Sequence, residues 1–173
     1  GKRTESGLNS IDRTLKEMDA ILITHEHSDH IKGLGVLARK YDLPIYATAG
    51  TIKAIRQTNQ VGTIPEGLFQ EIQPDETFRV GDLNVLPFNI SHDAAQPVGY
   101  RLECENKSIG IATDLGQYSD YTVEKLKHLD ALLLEANHDV NMLQVGSYPY
   151  YLKRRILSAE GHLSNENAGR LLS

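Results

Sequence analysis

The sequence predicts a layered α/β or α+β domain. Three observations carry that expectation. Short apolar runs alternate with stretches of helical period in both halves of the chain. The 173 residues suit one domain, or a piece of one, at roughly 150 residues per domain. Hydrophobic residues make up 40 % and charged residues 24 %, with 14 glycines. That is the make-up of a globular chain, and it excludes disorder and collagen-like fibre.

The elements follow in order. Residues 15–19 lead into the apolar run 20–24, short enough for a buried strand. A polar loop, 25–30, comes next. Ile31, Leu34, Val36, Leu37 and Ala38 recur at helical spacing, and Asp42-Leu43-Pro44 ends that helix. Residues 45–47 read as another buried strand and 51–59 as a second helix. The period then changes. Residues 78–80 and 83–90 read as strands joined by Gly81-Asp82, and 98–103 and 108–113 as a hairpin around Glu105-Asn106-Lys107. Residues 121–128 return to helix and 131–135 to strand. Further helices are expected around Met142, over 148–157, and from Ser164 as N-cap to the end. In the helix over 148–157, Tyr148, Leu152 and Ile156 are spaced by four and should face a core.

Cys104 is the only cysteine, which excludes an internal disulfide and a thiolate metal cluster. It fits a reducing cytoplasm, the expected location. No apolar run approaches the ~20 residues of a membrane span, and residues 1–8 carry no apolar core of a secretory signal. The formal net charge of −5 argues against a bulk basic nucleic-acid binder. It leaves open a site that holds an anionic substrate through metal ions, since two divalent cations would offset most of that charge at one spot.

The informative stretch is His25-Glu26-His27-Ser28-Asp29-His30, at the end of the first expected strand. Imidazole nitrogens and a carboxylate are good ligands for zinc and similar ions. In extended backbone, residues i and i+2 share a face, so His25 and His27 can grip one ion. A turn after Ser28 lets Asp29 and His30 reach a second. His92 follows the strand over 83–90, and Asp114 follows that over 108–113. Taken alone, His92 also reads as an ordinary structural histidine, and Asp114, in Thr-Asp-Leu-Gly, as a turn residue.

HEHSDH resembles the HxHxDH signature of the metallo-β-lactamase-fold hydrolases. The stretches THEHSDHIKGLGVLARKYDLPIYA, FNISHDAAQPVGY, IATDLG, LEANHDV and YPYYLKRRILSAEGHLSN resemble the YycJ-like (WalJ) exonuclease branch of that superfamily. The resemblance implies a four-layer αββα sandwich with a two-metal site at one edge of the paired sheets. It implies two divalent ions, zinc or manganese. His25, His27 and His92 would hold the first, Asp29 and His30 the second, and Asp114 would bridge them. A water bridging two such ions loses a proton near neutral pH and becomes a nucleophile, and Asp29 would also orient it. The implied reaction is phosphodiester hydrolysis, with nucleic acid, most simply DNA, as substrate.

His162, in Gly-His-Leu-Ser-Asn, stays open between proton donor to a leaving alkoxide, as in the similar tRNase Z branch, phosphate contact, metal ligand and structural residue. Members of the family usually carry an opening set of strands and a second, later His-Leu-Ser motif. The resemblance therefore implies that residues 1–173 are one metallo-β-lactamase-like domain that is incomplete. His138 reads either as a substrate contact on the rim or as part of a helix-start cap with Asn137 and Asp139. Tyr148, Tyr150, Tyr151, Lys153, Arg154 and Arg155 combine aromatics with cations, as a nucleic-acid groove does. There Arg154 or Arg155 would contact a phosphate. Two other functions stay open: hydrolysis of a small cyclic phosphodiester or another ester on the same fold, and a non-catalytic metal-binding module.

Overall fold

Eight β-strands form two sheets, one of three strands and one of five. The computed structural model describes residues 1–173. Contacts divide the chain into two compact units. Unit 1 is Gly1–Gln73 with Ala94–Gln96, and unit 2 is Pro74–Asp93 with Pro97–Ser173.

Unit 1 holds the parallel sheet. Strand β1 (Ile21–Leu22) pairs with β2 (Ile45–Thr48), and β2 with β3 (Phe69–Ile72). Parallel neighbours need a crossover, and helices supply both. Helices α2 (Ser28–Ile31) and α3 (Leu34–Tyr41) join β1 to β2, and α4 (Ala49–Gln57) joins β2 to β3. Asp42 ends α3 in the left-handed region at φ 53°. Thr48 caps α4 by accepting a hydrogen bond from the Thr51 amide. The core of this unit includes Ile23, Ile31, Leu34, Ala38, Ile45 and Ile55. An N-terminal helix, α1 (Lys2–Asn9), has no buried residue.

Unit 2 holds the mixed sheet, in the order β4 (Phe78–Val80), β5 (Leu83–Asn89), β6 (Val98–Cys104), β7 (Lys107–Ala112), β8 (Ala131–Leu134). Its first three pairings are antiparallel. Gly81 at φ 55° and Glu105 at φ 51° turn the two tight hairpins. The β7–β8 pairing is parallel, with α5 (Asp120–Leu126) as crossover. Helices α6 (Val140–Val145), α7 (Tyr150–Ile156) and α8 (Asn165–Leu172) follow. Phe88, Ala112, Leu115 and Leu163 are fully buried in the core of this unit.

The alternation of strands and helices agrees with the sequence reading, and three details depart from it. Strand β3 and helix α1 were not foreseen. Tyr148 is 56 % exposed rather than in a core. Pro149 is the N-cap of α7, so Tyr148 precedes the helix and has no place on its face. Leu152 and Ile156 are only half-buried.

Candidate metal centre

In unit 1 the HEHSDH stretch begins where pairing with β2 stops. Ile23 still donates its amide to the Tyr46 carbonyl at 3.0 Å and is itself buried. His25 is fully buried two residues later. The backbone stays extended to His27, which is the N-cap of α2. The short helix then turns Ile31 into the core, 1 % exposed, and leaves the Asp29 carboxylate 82 % exposed. That alternation gathers the imidazoles. The His25 ring centroid lies 4.5 Å from that of His27 and 4.1 Å from that of His30. Asp29 Oδ2 stands 3.8 Å from His30 Nε2, and Thr24 Oγ1 lies 3.1 Å from His25 Nδ1. Glu26 points elsewhere: its Oε1 accepts the Ala95 amide at 2.7 Å.

In unit 2 the strand directions explain the gathering. Strands β5 and β7 are each antiparallel to β6, and β8 is parallel to β7. The C-terminal ends of β5, β7 and β8 therefore share one edge of the sheet. His92 follows β5, Asp114 follows β7 and Glu135 follows β8. His162 reaches the same edge from the loop between α7 and α8. Two of these residues precede a fully buried leucine, Leu115 and Leu163, which anchors the loop while the polar neighbour faces out of the core. The loops are laced by backbone. The Gly116 amide donates to the Ser91 carbonyl at 2.8 Å and the Asp93 amide to the Glu160 carbonyl at 3.0 Å. A side chain at Gly116 would place its Cβ 2.3 Å from the Ala159 carbonyl oxygen.

His92 is held in one tautomer. Its Nδ1 lies 3.0 Å from the Gly161 carbonyl, which can only accept, so Nδ1 carries the proton; in the neutral ring Nε2 then keeps its lone pair, 3.5 Å from Asp93 Oδ1. That is the arrangement a metal-ligating histidine uses. Asp114 sits at φ 54°, a region uncommon for side-chain-bearing residues and tolerated best by Asp and Asn. Donor atoms of Asp114, Glu135 and His162 lie within 4.8 Å of one another. Glu135 Oε1 is 2.7 Å from His162 Nδ1, and Oε2 accepts the amides of Leu115 at 2.9 Å and Leu163 at 3.3 Å. The hydrogen bond to Glu135 raises the His162 pKa above its ordinary value, against the opposing effect of burial.

The remaining expected residues also lie in unit 2. Asp139 caps α6, its Oδ1 accepting the Met142 amide at 2.8 Å. His138 bridges to Ser164 through backbone, and burial pushes its pKa below the ordinary value. Both its ring nitrogens are shielded from solvent without a hydrogen bond. Arg155 grips Asp93 with two bonds, at 2.5 and 3.0 Å. Arg154 is exposed, its guanidinium 6.0 Å from the Tyr150 ring centroid. Sequence reasoning missed Glu135. The available signal was its place directly after an apolar strand, the place His92 and Asp114 also hold.

The family model described as "Beta-lactamase superfamily domain" matches residues 4–173. The chain belongs to the β-lactamase superfamily. Among its curated relatives, the exodeoxyribonuclease YycJ of Bacillus anthracis is 44 % identical over 168 residues, which is 97 % of this chain and 63 % of that protein. The exodeoxyribonuclease WalJ of Streptococcus pneumoniae serotype 2 is 43 % identical over 172 residues, 99 % of this chain and 64 % of the relative. The chain thus spans less than two thirds of the length of either. Two solved structures superpose with TM-scores of 0.67. One is Zn(2+)-bound PqqB from Methylobacterium extorquens, 22 % identical, covering 84 % of this chain and 54 % of that one. The other is the metallo-β-lactamase fold protein YhfI from Bacillus subtilis, 21 % identical, covering 92 % and 61 %. They establish the fold.

Divalent metal ions are what this superfamily's fold is built to bind, and the residues of this member suit them. The donors are imidazole nitrogens and carboxylate oxygens, the set that zinc and manganese accept. The Gly161 carbonyl holds Nδ1 of His92 and leaves Nε2 as its ligand atom, and three imidazoles gather in unit 1.

Proposed function

We propose that the two units work as one domain, and that the domain is the hydrolytic part of a metal-dependent phosphodiesterase that shortens DNA from an end. The observation that carries this reading is the HxHxDH stretch, in a chain 43–44 % identical along nearly its whole length to exodeoxyribonucleases. His25, His27 and His92 would hold one divalent ion, Asp29 and His30 a second, and Asp114 both. Zinc and manganese both suit these ligands. When bound, such ions supply a water acidified toward neutral pH and a positive charge that polarises the phosphoryl oxygen.

The chain's own residues do the rest. The exposed Asp29 carboxylate accepts a hydrogen bond from the attacking water and orients it. Glu135 holds the Nδ1–H of His162, so the proton available for transfer is the one on Nε2. His162 gives that proton to the leaving sugar oxygen. Glu135 is a positioning residue, itself fixed by two backbone amides. His138, which feels the charges of this pair, would contact the substrate from the rim, and Arg154 would meet a phosphate. Arg155 serves instead as the tether of Asp93. The action is placed in the cytoplasm, a reducing compartment that suits the single cysteine.

The test is metal content by elemental analysis after gel filtration, followed by digestion of an end-labelled DNA strand. About two ions per chain and metal-dependent shortening of the strand are expected, both lost in Asp29→Asn or His25→Ala. A chain loaded with both ions that cleaves neither DNA, RNA nor bis(p-nitrophenyl) phosphate refutes the reading.

A further inference from the structure

We propose that residues 142–157 of unit 2 form a track for the unpaired end of a nucleic-acid strand. This rests on the phosphodiesterase reading and names how its polymer would be held. Large apolar side chains are concentrated on this surface. Met142 is 73 % exposed, Val145 86 %, Tyr148 56 %, Tyr150 76 % and Tyr151 75 %. Helix α7 buries none of its residues. Exposed aromatics give a soluble chain nothing in stability, and a cluster of them marks a binding surface.

Charge selects the partner. The segment carries Lys153, Arg154 and Arg155 and no acidic residue, in a chain whose net charge is −5. Arg155 is engaged by Asp93, and Lys153 Nζ donates to the Gln144 carbonyl at 2.7 Å. Arg154 makes no ion pair and stands beside the Tyr150 ring. Aromatic faces next to a cation match stacked bases on a phosphate backbone. Paired bases hide their faces, so the match is to an unpaired strand.

Two hollows flank the tyrosines. One, of about 440 Å³, is lined by Gln144, Tyr150, Lys153, Arg154 and Leu157. The other, of about 430 Å³, includes His138, Asp139, Met142, Tyr148 and Asn165 in its walls, and the Asp139 carboxylate there accepts the Met142 amide. Each is of the size that holds a base or a similar small ring system. The second hollow adjoins the His162 loop. The Asn137 amide donates to the Leu163 carbonyl, and the Asn165 amide to the His138 carbonyl, both at 2.9 Å. A strand lying along the tyrosines would thus arrive beside the Glu135–His162 pair.

The test measures binding apart from cleavage. A fluorescein-labelled oligothymidylate with phosphorothioate linkages is titrated with the metal-loaded chain, and a blunt duplex competes. Tyr150 and Tyr151 are replaced together by Phe, which keeps the ring, or by Leu, which keeps only apolar bulk. Both positions are exposed, so folding is spared. The Phe pair should bind like wild type, and the Leu pair roughly tenfold more weakly for each stacking face lost. Arg154→Ala should lower the slope of log affinity against log salt by about 0.7. Equal binding by the Leu pair, or equal competition by the duplex, overturns the track. So does a dimer that the Leu pair dissolves while oligonucleotide binding is unchanged, since the face would then belong to a second copy. Hydrolysis of bis(p-nitrophenyl) phosphate by the wild type is scored separately. If the metal-loaded wild type cleaves neither DNA, RNA nor that ester while the tyrosines still govern binding, the hydrolase reading falls and the track stands.

Discussion

Replacing Glu135 by glutamine tests the proton-delivery step at nearly constant shape. In the native chain Oε1 faces His162 Nδ1 at 2.7 Å, and Oε2 is fixed by the amides of Leu115 and Leu163. Glutamine keeps an oxygen for those two amides. Its NH₂ group then faces Nδ1 and favours the imidazole that lacks a proton there. The charge-assisted bond, which contributes about 1.5–3 kcal/mol, is replaced by a neutral one of about 1 kcal/mol. The cationic imidazole loses about 0.5–2 kcal/mol of support, a fall of roughly 2- to 30-fold in kcat where proton donation limits the rate. The assay compares two leaving groups. An oligonucleotide expels a sugar alkoxide that needs the proton, and a p-nitrophenyl ester of thymidylate expels a stable phenolate that does not. Glu135→Gln should slow the first by that factor and the second by less than about twofold. A urea midpoint close to wild type would show that the fold is intact. Equal slowing of both substrates would refute the argument, because Glu135 would then act on the fold or the metal ligands instead.

Other outcomes follow from the same structure. Gly116→Ala should destabilise unit 2 by about 1–3 kcal/mol, because the new Cβ meets backbone atoms of Ala159 and Gly161 that cannot swing aside. Gly7→Ala, in open space within helix α1, should instead gain up to about 1 kcal/mol, and urea midpoints report both. Stripping metal with a chelator should lower Tm by roughly 5–10 °C, since an ion at about a hundred times its Kd stabilises by about 2.7 kcal/mol. An unchanged Tm on chelation would speak against a bound ion. For Asp75, burial opposes ionisation, but Lys125 Nζ at 2.5 Å and the Tyr121 hydroxyl at 2.9 Å outweigh it and hold the carboxyl below its ordinary range. Its folded-state pKa lies below the unfolded one, so its stabilisation is present above the ordinary carboxylate range. That stabilisation is lost as pH falls through the folded value. The stability difference between wild type and Asp75→Asn, measured by urea unfolding of the metal-free chain, should therefore shrink toward zero in acid.

The HEHSDH stretch and most of the elements were legible in the sequence because their signals are local. HEHSDH packs its donors into six consecutive residues, so no tertiary knowledge is needed to see a candidate ligand set. Strands β4 to β7 announce themselves by alternation and by two-residue turns at Gly81-Asp82 and Glu105-Asn106. Strand β3 did not. Phe69-Gln70-Glu71-Ile72 is half polar, and it is a strand because β2, some two dozen residues earlier, offers it parallel partners. Helix α1 buries nothing and so has no apolar period to read. Tyr148 has the spacing of a core residue, but Pro149 starts the helix one residue too late to use it.

Glu135 marks the boundary most clearly. A glutamate after a strand has many possible fates. Its partner, His162, lies 27 positions away in a loop, and only the shared direction of β5, β7 and β8 brings their ends to one edge. Sequence alone determines which chemistry the side chains can perform and roughly which segments pair. Tertiary structure decides which carboxylate holds which imidazole, which arginine is committed to an ion pair, and which aromatics stay in water. Those choices depend on distances between residues far apart in the chain, and no local pattern encodes them.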